Sequence, residues 1–208
     1  MKGARFRCPW SETHPLMQEY HDTEWGIPVQ DDRKLFEFLV LEGAQAGLSW
    51  LTVLKKREAY RDAFAGFNPE AVARFGDEDM ARLMQNTGII RNRAKIAAAT
   101  GNARAFLRVQ EEFGNFASYM WGFVDGLPIV NTCRTMSDVP THTPVSDAFS
   151  KDLIARGFRF VGSVICYSHM QAVGMVNDHL IECFRYSEVG THHPCAVGVS
   201  SGLGYEQV

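Results

Sequence analysis

Helical periodicity, cut repeatedly by glycine, proline and short polar capping residues, constrains this chain more than any other feature. Runs that alternate apolar and polar residues are nearly absent, so the spacing predicts an all-α fold. Asp31 or Asp32 can cap a helix with Leu35, Phe38 and Leu39 on one face, and a second helix after Ser49 carries Val53, Leu54, Tyr60 and Phe64. Asn68-Pro69 opens a short helix. Asp77 can cap a segment that turns Met80, Leu83 and Met84 inward and stops at Gly88. The chain resumes as a long helix with Ile89, Ile96, Ala103 and Leu107 on one side. Phe116, Tyr119, Met120 and Phe123 give a further helix, and the Pro-, Thr- and Asp-rich stretch from Gly126 to Val145 reads as a loop. Ser146 then caps a helix ending at Gly157, and a last long helix runs from about Gly162 past His179. Residues 187–208, rich in Gly and Ser and without periodicity, read as a mobile tail.

A length of 208 residues with 46% hydrophobic content fits one unit, or two helical subdomains sharing a core, over residues 1–186. It excludes a larger multidomain assembly. No apolar run approaches the roughly 18 to 20 residues that crossing a bilayer requires, and the first residues carry no signal-peptide pattern. The expectation is a soluble, cytoplasmic monomer without a membrane partner. Cysteines 8, 133, 166, 183 and 195 are odd in number and widely spaced, which argues for reduced thiols or metal ligands over a disulfide framework. A net charge of −3 argues against indiscriminate coating of nucleic acid but leaves room for a local basic face.

Such a face lies at Asn86-Thr87-Gly88-Ile89-Ile90-Arg91. Gly88 permits positive φ, so backbone N–H groups can converge at the start of the next helix, where the helix dipole also favours an anion such as a DNA phosphate. Arg91, Arg93, Lys95, Arg104 and Arg108 supply positive charge, while Ile89 and Ile90 anchor the turn. Taken alone, a glycine between helices also serves as a plain C-cap.

Glu42 follows Leu35, Phe38 and Leu39 at seven, four and three positions and therefore shares their buried face. A carboxylate there needs either a cationic partner or a pocket whose ligand supplies the charge. A small-residue turn leads from it to Trp50, and Trp10, Tyr20 and Trp25 enrich the N-terminal segment. Acid among planar rings suits a flat cationic heterocycle; aromatic core packing around a buried salt bridge is the alternative.

Cys8 and His21 near one end, His179 and Cys183 near the other, offer two thiols and two imidazoles. If the last helix continues through them, His179 and Cys183 project from one side by one turn. Four such ligands complete a tetrahedral zinc shell with no position left for a reacting water, which makes the site structural, tying the chain ends together. The long gap between the pairs lacks the local signature of a zinc finger.

Cys8-Pro9-Trp10, Tyr20-His21-Asp22-Thr23-Glu24-Trp25-Gly26-Ile27-Pro28, the block Leu41–Trp50, Val53-Leu54-Lys55-Lys56-Arg57, Gly88-Ile89-Ile90-Arg91 and Asn177-Asp178-His179 stand together in order. With these blocks the chain, over about residues 5 to 186, resembles the 3-methyladenine DNA glycosylase I family. The resemblance implies a helix-hairpin-helix glycosylase fold with a hairpin near residues 86–91. It implies one structural Zn2+ on Cys8, His21, His179 and Cys183, and Glu42 as the catalytic pocket carboxylate. Tyr20 and Trp50 match aromatics that contact the extruded base, with Trp10 and Trp25 nearby. Gly88, Ile89, Ile90 and Arg91 match the DNA-binding hairpin. Met17 stands where a relative has a pocket-edge tyrosine. The implied reaction is hydrolysis of the N-glycosidic bond of 3-methyladenine in double-stranded DNA. The family lacks the usual catalytic aspartate, and no lysine stands out for a lyase step.

Leu48, at the tip of the turn before Trp50, can fill the space the extruded base leaves or be a buried packing residue. Two rivals set the terms of comparison. A damage-binding protein without activity would keep hairpin and zinc, which the co-occurrence of Glu42, Tyr20 and Trp50 argues against. A zinc hydrolase would need an open ligand position that four filled ones deny.

Overall fold

A computed structural model describes residues 5–190. The helices are α1 (Pro15–Thr23), α2 (Asp32–Gln45), α3 (Trp50–Leu54), α4 (Arg57–Ala63), α5 (Pro69–Ala73), α6 (Asp77–Gln85), α7 (Arg93–Phe113), α8 (Phe116–Trp121), α9 (Pro144–Ala155), α10 (Ser163–Ala172) and α11 (Phe184–Gly190). Two two-residue strands, β1 (Ile129–Val130) and β2 (Val176–Asn177), pair in parallel. The chain is all-α in substance, as the periodicity predicts, and among the described residues no helix is long and apolar enough to cross a membrane.

Side-chain caps start most of these helices. Asp31 accepts from Lys34 N–H, Ser49 from Thr52 N–H, Asn68 from Ala71 N–H, and Asn92 from Ala94 and Lys95 N–H. Asp32 does something the sequence does not reveal. Its carboxylate accepts from the Phe116 and Ala117 N–H groups and the Gln110 amide, so it caps α8 from across the core. α2 is buried over most of its length, Leu35 through Ala44, because Phe36 meets Phe106 of α7 at 5.3 Å and Phe106 stacks on Phe116 at 4.2 Å. Each buried side chain of this size contributes roughly 1.5–3 kcal/mol. α2 is thus a fixed central rod, and Glu42 rides on it.

Several boundaries differ from the sequence reading. The segment after Ser49 is two helices, broken at Lys55–Lys56. Gly76, not Asp77, is the N-cap of α6, and Thr143, not Ser146, caps α9, with Ser146 completing a reciprocal pair three residues in. α7 begins at Arg93, so Ile89 and Ile90 lie in the turn before it; Ile96 and Ala103 are buried, Leu107 only half-buried. The loop 126–145 contains β1 and a 3-10 turn, Met136–Asp138.

The largest difference is the last helix. α10 ends at Ala172 because Gly174 adopts φ +74°, and a Cβ there would lie 2.4 Å from the Ile27 carbonyl carbon and the Pro28 nitrogen. The chain must pass the backbone of residues 27–28 at that point, which only glycine permits. It then pairs as β2 and turns through 178–183. His179 and Cys183 therefore share a turn, not a helix face. Residues 187–190, expected in a tail, complete α11 with Val189 buried; the rest of that expectation, 191–208, lies outside the described residues, as do Cys195, His192 and His193.

Candidate active site and metal cluster

Glu42 is 3% exposed, and its Oε2 has no hydrogen-bond partner. Burial alone pushes the carboxyl up to about 8, and among the described residues no cation offsets it. That overturns the buried salt bridge as its explanation. Tyr20 of α1 lies close enough that its hydroxyl is held well above the usual phenol range, first by burial and then by the Glu42 charge. Its ring meets Trp50 at 5.4 Å and Phe38 at 6.4 Å. The Trp50 Nε1–H is likewise buried and unpaired. A buried acceptor and a buried donor, both unsatisfied, are costly to folding and mark a candidate binding site.

An ion network braces this wall. Arg57 of α4 pairs with Glu24 (2.6 Å) and Glu37 (2.7 Å), and Lys34 reaches both carboxylates. Against the cost of burial, Arg57 and Lys34 hold Glu24 down to about 2. Both cations lie over the Phe38 ring, fixing it beneath Tyr20. Met17 is buried on the same face of α1, three residues before Tyr20. Leu48 is 42% exposed on the turn between α2 and α3, available to an incoming partner and not a buried packing residue.

Trp25 departs from its expected place. Its ring neighbours are Trp10 (5.0 Å), His21 (6.3 Å) and His179 (4.6 Å), so it packs against the Cys/His cluster. Trp10 bridges the two, 5.4 Å from His21 and 6.4 Å from Tyr20.

Cys8, His21, His179 and Cys183 converge, fully buried, with their ligand atoms all within 4.8 Å of one another. Cys183 Sγ lies 3.4 Å from His21 Nε2 and 3.6 Å from His179 Nδ1, and Cys8 Sγ lies 3.7 Å from His179 Nδ1. The Cys183 thiol is driven down by hydrogen bonding from Cys8 and from the two imidazoles, while Cys8 is driven up by the neighbouring sulfur and burial. Burial holds His179 below the usual imidazole range, in the neutral form a ligand needs. The outer atoms of both rings are oriented: His21 Nδ1 by Asp22 (2.8 Å), itself clamped by Arg7, and His179 Nε2 by the Trp25 carbonyl (3.1 Å). The His21-Asp22 dipeptide was the available signal for this support; nothing local marked Arg7.

The turn 86–92 joins α6 to α7. Gly88 does not have positive φ. Its glycine requirement is steric, since a Cβ would lie 2.8 Å from the Ala59 Cβ. The N–H groups expected to converge on an anion are already engaged: Gly88 donates to Asn86 Oδ1, Ile89 to the Asn86 carbonyl and Ile90 to the Tyr60 hydroxyl. Three of the basic residues also have internal work. Lys95 donates to the Ala44 and Ala46 carbonyls at the end of α2, Arg104 to Ala73 and Phe75, and Arg108 to Arg104 and Arg156. Arg91 and Arg93 are exposed and, among the described residues, pair with no carboxylate. Gly88→Val is expected to cost roughly 1–3 kcal/mol by overpacking against Ala59, a loss of several degrees in Tm by calorimetry.

An all-helical frame that buries an unpaired acid and an unpaired indole N–H among aromatic walls, beside a turn with free arginines, defines a protein built to accept a flat ring. The family model of the methyladenine glycosylases matches residues 10–186, and the chain belongs to that family. It is 53% identical to DNA-3-methyladenine glycosylase 1 of Escherichia coli (strain K12) over 86% of this chain and 96% of that protein. It is 50% identical to DNA-3-methyladenine glycosylase of Haemophilus influenzae over 85% and 96%. A crystal structure of 3-methyladenine DNA glycosylase I superposes with a TM-score of 0.83 at 55% identity, covering 86% of this chain and 98% of that one. A tyrosine-to-phenylalanine variant of such an enzyme in complex with 3-methyladenine superposes with a TM-score of 0.85 at 36% identity, covering 90% and 99%.

Proposed function

We propose that this chain excises 3-methyladenine from alkylated double-stranded DNA by hydrolysing the N-glycosidic bond, without a strand-cleaving lyase step. The observation that carries the reading is the unpaired Glu42 Oε2 in reach of Tyr20, whose ring meets Trp50. A 3-methyladenine nucleotide is a cation. In the pocket it supplies the charge that Glu42 lacks, whereas neutral adenine would leave the acid desolvated and unpaired. The free Trp50 N–H and Glu42 Oε2 form one donor and one acceptor for the edge of a purine, and the rings of Tyr20 and Trp50 supply stacking surface, with Trp10 at the rim. Because the base departs neutral, little acid assistance is needed; positioning, and a carboxylate near the developing oxocarbenium charge, supply the rate. Extrusion of the nucleotide costs least for a weakly paired lesion.

The same reading takes residues 1–186 as two helical subdomains sharing a cleft that holds this pocket. α6, the turn 86–92 and α7 serve as the helix-hairpin-helix that grips DNA phosphates, with Arg91 as its charged contact and Gly88, Ile89 and Ile90 shaping the turn. Leu48 fills the vacated stack. Zinc suits the Cys/His cluster: tetrahedral bonds of about 2.3 Å to sulfur and about 2.0 Å to nitrogen put sulfur and nitrogen about 3.5 Å apart, beside 3.4–3.7 Å for three of the four sulfur–nitrogen pairs, with all ligand atoms within 4.8 Å of one another. Cys8, His21, His179 and Cys183 would hold it, and with all four positions filled it would supply stability and no reaction chemistry.

Chromatography of the base released from methylated DNA tests the activity directly: release of 3-methyladenine supports it, and binding without release would move the chain to the damage-binding alternative. For the hairpin, Arg91→Ala is expected to weaken binding to every duplex alike and to lower the slope of log affinity against log salt by about 1. An unchanged slope would remove Arg91 from the phosphate contacts.

A further inference from the structure

Phe160, between α9 and α10, is held in an arrangement that folding alone does not explain. Its φ is +56°, the left-handed region that disfavours a bulky side chain, and its ring is 36% exposed. The residues on either side are clamped through their backbones. Buried Asn102 of α7 accepts from the Arg159 N–H (2.8 Å) and donates to the Arg159 carbonyl (2.9 Å). The Val161 carbonyl accepts from Ser150 Oγ (2.6 Å) and Cys166 Sγ (3.2 Å). Phe158 and Val161 fill the core from the flanking positions, so burial does not require an aromatic at 160. Glycine or asparagine would take this φ with less strain and without an apolar face in water.

The residue lies where a further contact with substrate would be useful. A Cβ built on Gly43, the neighbour of Glu42, would be 3.6 Å from the Phe160 Cβ. Phe160 lines a cavity with Gly43, Ala44 and Lys95, and Lys95 ties Ala44 and Ala46 at the base of the turn that carries Leu48. Arg159 is exposed and, among the described residues, pairs with no carboxylate.

We infer that Arg159 and Phe160 form a second DNA-contacting element beside the Leu48 turn: the Phe160 ring packs on a base exposed next to the extruded nucleotide, and Arg159 meets a phosphate. The strained backbone is what presents the ring outward, and the two clamps keep it there. The inference rests on the glycosylase reading above and adds a contact that reading does not need.

The test compares wild type with Phe160→Gly, which removes ring and strain together, and with Phe160→Asn, which also tolerates left-handed φ. Phe160→Trp keeps a stacking ring. Each protein is titrated with a duplex bearing a tetrahydrofuran abasic-site analogue and with free 3-methyladenine, and its Tm is measured. Both ring-less variants should melt no lower than wild type, bind the duplex roughly tenfold more weakly and bind the free base unchanged; Phe160→Trp should stay within roughly threefold of wild type. Duplex binding equal to wild type by the ring-less variants overturns the inference. So does a parallel loss of free-base binding, which would mean that the ring merely props Gly43 and the pocket. Failure of wild type to release 3-methyladenine from methylated DNA is a separate result, which overturns the glycosylase reading and this one with it.

Discussion

Glu42→Gln is expected to slow single-turnover excision of 3-methyladenine by roughly 10²-fold or more while leaving the melting temperature equal to or above that of wild type. Glutamine keeps the size and one acceptor but not the charge. The stability half follows from the buried, partnerless carboxyl whose value stands at about 8, against an ordinary 4.5. A group raised in the folded state contributes fully below its unfolded value and loses that contribution as pH rises through the folded value. The Tm advantage of the glutamine variant should therefore widen from pH 5 to pH 9. Ligand binding carries the same sign: below pH 8, taking up a cationic base requires Glu42 to release a proton. Calorimetry of binding to a duplex that carries a cationic, uncleavable analogue of the lesion, in buffers of different ionisation enthalpy, should detect net proton release at pH 7. A variant that melts well below wild type yet excises normally would show that Glu42 is a structural residue. Trp50→Ala should cost less, roughly 10-fold, from lost stacking.

The Cys8→Ser, Cys183→Ser double variant is expected to lose more than 10 °C in Tm, because a structural zinc of this ligand type carries binding energy on the order of 10 kcal/mol that appears as folding energy. Strong chelators should lower the Tm of wild type in the same direction, and elemental analysis should find one zinc per chain. Asp22→Ala should weaken metal retention by roughly 10- to 100-fold with the four ligands intact, since it frees the His21 ring. Full stability of the double variant, or purified protein without metal, sinks the assignment.

What could be read from sequence was decided locally. Asp31, Ser49 and Asn68 cap the helices that their positions announced, and Glu42 lies on the buried face its spacing to Phe38 and Leu39 required. The four Cys/His residues do meet, but not for the helical reason given, since Gly174 ends α10 for a contact with residues 27–28 that no local pattern encodes. Lys95, Arg104 and Arg108 looked like phosphate ligands because charge is visible in sequence; that each also donates to backbone carbonyls of distant segments is not. Trp25 is aromatic and near Tyr20 in sequence, but that its ring packs on His179, 154 positions away, has no local signal.

The Cys/His cluster also sets an order of events during synthesis. Cys8 and His179 are separated by 171 positions, and no two of its ligands on the N-terminal side can make a site alone. Until nearly the whole described chain has left the ribosome, Cys8 and His21 have no partners, and closing so long a loop is the slow, non-local step of folding. On the zinc assignment proposed above, metal capture would be a completion signal: a truncated nascent chain would carry an unligated Cys8, and the two halves of the cluster would lock only once every element between them is in place.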